Sequence, residues 1–284
     1  MTDPLPSPNE PPIIAPMPGG APVIAPPILA PPPRRLTAGW AAIILLIYLG
    51  AQFGASVVVG GVVGFYFGVM HAVHRAHGPL AQDIARAAPK MLLWGVVFAM
   101  LGGGLTMVAA ARAMLREPLK DRSAVGAAWV GGSPRDCAEG LAVGILAGLG
   151  AVAVILVCNA LGIHGEPGLF SKLLGQGGLR LASLLATLVI VAPVFEELLF
   201  RGVLYAGLRA SSGALRAGAL TTGIFVLLHF SELINFPPAM LCLGGLGALT
   251  LWIRLRRAAI GPAIGVHMGY NLVVVGAALT AGIQ

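Results

Sequence analysis

Three short motifs place ionisable and amide side chains inside strongly apolar stretches, where such groups require a partner or a function. The motifs are FEELLFRG (195–202), FVLLH (225–229) and HMGYN (267–271). Carboxylates and imidazoles are among the side chains that most often transfer protons during catalysis. We therefore expect a buried site built from Glu196, Glu197, Arg201, His229, His267 and Asn271.

The first motif contains its own ion pair. Arg201 follows Glu197 at the i+4 position, so on a helix the two side chains lie one above the other and can neutralise each other. Glu196 is rotated by about 100° from Glu197 and has no such neighbour. This favours a structural role for Glu197 and leaves Glu196 free to act chemically.

The segments that hold these motifs have the composition of membrane spans. Hydrophobic residues make up 57% of the 284-residue chain and charged residues 10%, against roughly a quarter charged in soluble domains. No alternating pattern indicates a barrel, so the spans are helical. The predicted fold is all-α, a polytopic transmembrane helix bundle of about seven spans with a disordered Pro-rich N-terminal tail. The predicted spans are 37–72, 91–111, 137–163, 181–208, 217–236, 239–253 and 258–282.

The basic residues predict the topology. They give a net charge of +7 but form no basic stripe, which argues against nucleic acid and favours contact with lipid headgroups. Arg116, Lys120 and Arg122 follow the second span, so the positive-inside rule places them, and with them the N-terminus, in the cytoplasm. Arg75 and Arg86 fall on the other side of this topology. The Ala- and Gly-rich composition favours a bacterial source and hence the cytoplasmic (inner) membrane.

Composition also divides the chain into regions. Residues 1–36 are rich in proline and poor in bulky apolar residues, which predicts a disordered cytoplasmic tail. Residues 37–136 contain two predicted spans and form an N-terminal transmembrane region. Residues 137–284 contain all three motifs and form the membrane domain that we expect to carry the chemistry.

The motifs are predicted to lie at one depth. Counted from the nearest basic residue at the cytoplasmic end of each span, Glu196 and His229 are each 13 residues deep and His267 is 10 residues deep. At 1.5 Å per residue these are depths of roughly 15 to 20 Å. Three different helices therefore bring a carboxylate and two imidazoles to a similar level of the membrane.

The ordered set EExxxR, FxxxH and HxxxN resembles the CPBP family of intramembrane proteases, also called CAAX protease and bacteriocin-processing (Abi) proteins, which includes the type II CAAX prenyl endopeptidases. The resemblance covers roughly residues 137–283 and implies an enzyme that cuts a membrane protein or peptide substrate. It implies that Glu196 is the general base for the attacking water. His229, His267 and Asn271 would surround that water and the developing oxyanion, which fixed donors in a dry cavity stabilise strongly.

The cofactor requirement has two interpretations. Glu196, His229 and His267 could hold Zn²⁺ with a fourth position open for water, and the family has long carried a metalloprotease label. The chain has no HExxH motif, however, and related enzymes have been argued to be glutamate proteases that need no metal.

Two other function classes fit a buried polar site. A non-proteolytic membrane scaffold or bacteriocin-immunity protein would keep the fold without turnover. A transporter would use buried Glu, His and Arg as a proton relay and is expected to show repeated halves with interrupted helices. The sequence shows no convincing internal repeat, which disfavours the transporter.

Overall fold

The described part of the chain is helical. The computed structural model describes residues 36–74, 80–115, 131–165 and 178–282, which contain helices and turns but no strand. The predicted all-α class is confirmed. The predicted tail lies outside the described residues, apart from Leu36. In chain order the helices are α1 (Ala38–His74), α2 (Leu80–Leu115), α3 (Pro134–Ala160), α4 (Leu179–Ser212), α5 (Ala214–Leu228), α6 (Phe230–Asn235), α7 (Ala239–Arg257) and α8 (Gly261–Gly282).

Six of the described helices, α1 to α4, α7 and α8, are long and apolar enough to cross a membrane. The chain is therefore an integral membrane protein. Helix α5 is also apolar but has only 15 residues, which corresponds to about 22 Å of helix. These seven segments correspond to the seven predicted spans.

Helices α3 and α8 form a close parallel pair. Gly140, Gly144 and Gly148 each leave no room for a Cβ, because the backbones at Pro262, Val266 and Tyr270 respectively lie against them. Small residues at this spacing let two membrane helices approach closely. The contacting residues increase in number together along α3 and along α8, so the two helices run in the same direction. Parallel packing requires an even number of reversals between α3 and α8, and the chain makes four only when α5 crosses as well.

Ion pairs join the start of α3 to the end of α7, two points that the predicted topology places on the same side of the membrane. Ser133 caps α3 and exchanges hydrogen bonds with Asp136, a capping box. Arg257, the last residue of α7, forms ion pairs with Asp136 at 2.8 Å and with Glu139. The basic cluster at the end of α7 therefore lies beside the start of α3. These residues are at one end of the bundle, as the alternating topology requires.

The predicted span 217–236 is divided at His229. Helix α5 ends at Leu228, and the short helix α6 begins at Phe230. The cause is local, because His229 Nδ1 donates to the carbonyl oxygen of Phe225 at 2.8 Å, the acceptor that a backbone N–H at position 229 would otherwise use. The backbone N–H of His229 bonds instead to Val226. A side chain inserted into the i→i−4 ladder in this way interrupts a helix.

The N-terminal helices share a core with the motif-bearing helix α4. Ala41, Ile44 and Tyr48 of α1 are buried in one cluster with Leu198 and Leu199 of α4. Gly207 of α4 has no room for a Cβ because Thr37 and Ala41 lie against it. The predicted boundary near residue 136 therefore does not coincide with a gap in packing.

Candidate functional site

The first motif lies in an irregular part of α4. Residues Ala192–Glu197 form an α-helical turn between two π-helical segments, Thr187–Val191 and Leu198–Leu204. Glu196 is 7% exposed and Glu197 is fully buried. Wide π-helical turns inside α-helices occur frequently at functional sites. The irregular backbone therefore coincides with the predicted chemistry.

Glu197 is the centre of a buried polar network. Its Oε1 lies 3.2 Å from Nη1 of Arg201, so the predicted ion pair is confirmed. The same Oε1 lies 2.9 Å from Nδ1 of His267 on α8. Both contacts converge on Oε1, so Glu197 orients Arg201 and His267 together.

Arg201 is buried and contacts two further helices. It is 1% exposed, and its Nη2 donates to the carbonyl oxygen of Gly247 on α7 at 2.9 Å. The guanidinium carbon lies 4.9 Å from the ring centroid of Phe225, a cation–π distance. An ideal Cβ on Gly247 would lie 3.3 Å from Nη2, so a side chain there would crowd the guanidinium. Arg201 thus links α4, α5 and α7 around Glu197.

His267 lies between the two glutamates. An ionised carboxylate only accepts hydrogen bonds, so His267 Nδ1 carries the proton shared with Glu197. In the neutral imidazole the other nitrogen, Nε2, is then an acceptor, and it lies 3.8 Å from Oε2 of Glu196. Two acceptors at this separation cannot bond directly, but a water molecule can donate one hydrogen to each. The geometry therefore suits a water positioned between Glu196 and His267.

His229 reaches this network through an aromatic ring. Its imidazole stacks on Phe225 with ring centroids 4.6 Å apart, and Phe225 contacts His267 edge-on at 5.9 Å. Because the carbonyl oxygen of Phe225 accepts from Nδ1, Nε2 of His229 is the nitrogen left for other partners. His229 therefore contacts the cluster through the ring of Phe225.

Asn271 bonds to the backbone of α4. Its Nδ2 donates to the backbone carbonyl oxygen of Leu188 at 2.8 Å. Leu188 lies in the π-helical segment Thr187–Val191, where the altered hydrogen-bond ladder frees a carbonyl. Asn271 therefore fastens α8 to α4 one turn from His267, and its amide has one further N–H to donate.

Two parts of this site were not predicted. The bond between His267 and Glu197 joins residues 70 positions apart, and no spacing rule within one helix reveals it. Gly247 supplies the carbonyl that holds Arg201 from a segment, GGLGAL, with no ionisable residue. A buried arginine needs more than one acceptor, and this requirement was the only available signal that a further carbonyl would be nearby.

A metal ion needs several donor side chains that converge on one point. Within the described residues, no group of three His, Cys, Asp or Glu side chains is placed to hold one. Of the predicted ligands, His229 is held at a backbone carbonyl and Glu196 faces His267. Among the described residues, the proposed ligand set Glu196, His229 and His267 does not converge as a metal site.

One family model matches the chain. Residues 178–273 match the model described as Rce1-like, type II CAAX prenyl endopeptidase Rce1-like. This segment is about a third of the chain, shorter than the 137–283 suggested by the motifs, and it includes every predicted site residue. No curated protein and no solved structure matches the chain significantly.

Proposed function

We propose, from the match of residues 178–273 to the model of type II CAAX prenyl endopeptidases, that this chain hydrolyses a peptide bond in a membrane-associated protein or peptide, using a water activated by Glu196. The observation that carries the proposal is the 3.8 Å separation between Oε2 of Glu196 and Nε2 of His267. Two acceptors on two helices leave a place for the attacking water.

The proposed reaction begins with proton transfer from this water to Glu196. The water oxygen then bonds to the carbonyl carbon of the substrate, and the carbonyl oxygen becomes an oxyanion. Glu196 delivers its proton to the amide nitrogen as the C–N bond breaks. The products are a carboxylic acid and an amine, and Glu196 is ionised again, so one water is consumed per bond.

The second glutamate has a positioning role in this proposal. Glu197 holds Nδ1 of His267 and so determines which imidazole nitrogen faces Glu196. Arg201 offsets the charge of Glu197, and Gly247 and Phe225 hold the guanidinium in turn. Among the described residues, only His267 lies within ion-pair distance of Glu196. Glu196 is thus the carboxylate left available to accept a proton.

The proposal extends to the substrate class and the location. We propose that a peptide enters from the cytoplasmic side of a bacterial inner membrane, with the N-terminus of the enzyme in the cytoplasm. The description of the matched family names prenyl substrates. The composition of the chain favours a bacterial source, however, where prenylated proteins are not expected. The proposed substrate class is therefore a membrane-anchored protein or peptide with its scissile bond near the level of Glu196.

Glu196→Gln tests the proposal most directly. Gln keeps the shape of the side chain and removes the proton acceptor, so cleavage should be lost while thermal stability and yield stay unchanged. Quantitative proteomics of membranes containing wild type or Glu196→Gln should reveal peptides cut only by wild type. Glu139→Gln, at an exposed carboxylate on α3, is the matched control and should cleave like wild type. Equal cleavage by wild type and Glu196→Gln would refute the assigned base.

The alternatives give different results in the same comparison. A scaffold or bacteriocin-immunity protein should keep its biological effect in Glu196→Gln, since its fold is intact. A transporter should show proton or ion flux in liposomes that depends on Glu196, with no peptide cleaved. Strong chelators provide a separate test of metal dependence. Loss of activity on chelation and recovery with Zn²⁺ would contradict the metal-free mechanism proposed for Glu196.

A further inference from the structure

A tyrosine outside the family match lies at the level of the proposed site. Tyr48 of α1 is 3% exposed and shares the core cluster that contains Leu198 and Leu199 of α4. Ala41, two helical turns earlier on α1, lies against Gly207 of α4. The two helices run antiparallel there. Two helical turns before Gly207 on α4 is about residue 200, so Tyr48 lies at about that level.

Helix α2 packs against α1 at Tyr48 and against α4 at Phe195. Gly103 lies against the backbone oxygen of Tyr48 and the side chain of Gln52, and an ideal Cβ on it would be 3.2 Å from that oxygen. Gly104 lies directly beneath the ring of Phe195, the residue before Glu196, with no room for a Cβ. Consecutive glycines on one helix therefore contact both partners.

The hydroxyl of Tyr48 is held only weakly by its sulfur partner. It donates to Sδ of Met100 at 3.7 Å, and Gln52 Nε2 donates to the same sulfur at 3.4 Å. A thioether is a weak acceptor. A carbonyl oxygen that gains negative charge is a much stronger one, so the phenolic hydrogen has reason to turn towards it.

We propose that Tyr48 is a hydrogen-bond donor to the substrate in this active site, contributed by α1 from outside the matched segment. This inference rests on the proposed peptidase function. A neutral phenol suits the position, because it stabilises an oxyanion without burying a further positive charge beside Arg201. It also adds a donor to those of the motif residues, of which Asn271 uses one N–H for Leu188 and neutral His267 accepts at Nε2.

The test uses the full-length protein in nanodiscs and a peptide that wild type cuts but Glu196→Gln does not. Tyr48→Phe keeps the ring and removes the donor. Its kcat should fall by about 10² to 10³-fold, the usual effect of losing one oxyanion donor, with KM and melting temperature nearly unchanged. Tyr66→Phe, at an exposed tyrosine of the same helix, is the control and should match wild type.

Met100→Leu separates a catalytic role from a structural one. It removes the sulfur acceptor but keeps Tyr48, so its kcat should remain within a few-fold of wild type. If Met100→Leu is as defective as Tyr48→Phe, the hydroxyl acts through packing and the inference is wrong. A wild-type kcat in Tyr48→Phe would overturn the inference about Tyr48 but not the proposed peptidase function. If no peptide distinguishes wild type from Glu196→Gln, the proposed function fails, and this inference fails with it.

Discussion

Substituting Glu197 should destabilise the protein far more than substituting Glu196. Glu197→Gln leaves the guanidinium of Arg201 buried, since the two side chains are 0% and 2% exposed. The Gly247 carbonyl and the Phe225 ring remain, but neither carries a full negative charge. Removing one partner of a buried ion pair costs about 3–5 kcal/mol. The Gln amide oxygen can still accept a hydrogen bond from His267, so the lost stability is mainly that of the ion pair.

The double variant Glu197→Gln with Arg201→Met tests this reasoning by the direction in which stability changes. Replacing a buried pair by uncharged side chains of similar volume is often close to neutral. The double variant should therefore be more stable than Glu197→Gln alone, although its proton-transfer site is altered and it should be inactive. Such a reversal is a coupling between neighbouring residues that independent contributions cannot produce.

The chain provides an exposed pair as a control. Arg257 and Glu139 form an ion pair with side chains 42% and 41% exposed. Glu139→Gln should cost less than about 1 kcal/mol, the usual range for a solvated pair. Unfolding free energies would be measured in mixed micelles by denaturant titration. The reasoning is refuted if Glu197→Gln costs no more than Glu139→Gln, or if the double variant is no more stable than the single one.

Three further predictions concern packing, the tail and access. Gly144→Leu should separate α3 from α8 and abolish folded yield in size-exclusion chromatography, whereas Gly150→Leu, where nothing lies within 4 Å, should fold normally. Deletion of residues 1–33 should leave membrane insertion and melting temperature unchanged, and an unfolded product would show that the tail is a packed element. In a background without native cysteines, His229→Cys with His267→Cys should be bridged by a short thiol crosslinker, because Phe225 contacts both imidazoles. Impermeant thiol reagents should reach this pair from the cytoplasmic side, and labelling only from the other side would reverse the topology.

The sequence alone determined the features that depend on one helix. Apolar segments of about 20 residues can satisfy their backbone in lipid only as helices, so the all-α bundle follows from composition and length. The pair of Glu197 and Arg201 follows from i, i+4 spacing, and it survives the π-helical turn that begins at Leu198. The three motifs identified the family segment because their order and internal spacing are properties of the chain itself.

The interruption at His229 could not be read from composition. The residues 217–236 are apolar throughout most of their length, and a hydropathy argument treats them as one span. The break depends on whether an imidazole or a backbone N–H bonds to the carbonyl of Phe225. These choices differ by a single hydrogen bond, which is too small a difference for hydrophobic patterning to decide.

Only the tertiary structure decided which glutamate His267 binds and which it faces. Sequence placed Glu196, His229 and His267 at one depth, but which glutamate bonds to His267 depends on the rotation of α8 about its axis and on its offset along α4. Gly144 sets that rotation by packing against the backbone of Val266, next to His267, and Asn271 sets the offset at Leu188. Side-chain spacing fixes directions within a helix, whereas orientation between helices depends on contacts between distant segments, and no local pattern contains that information.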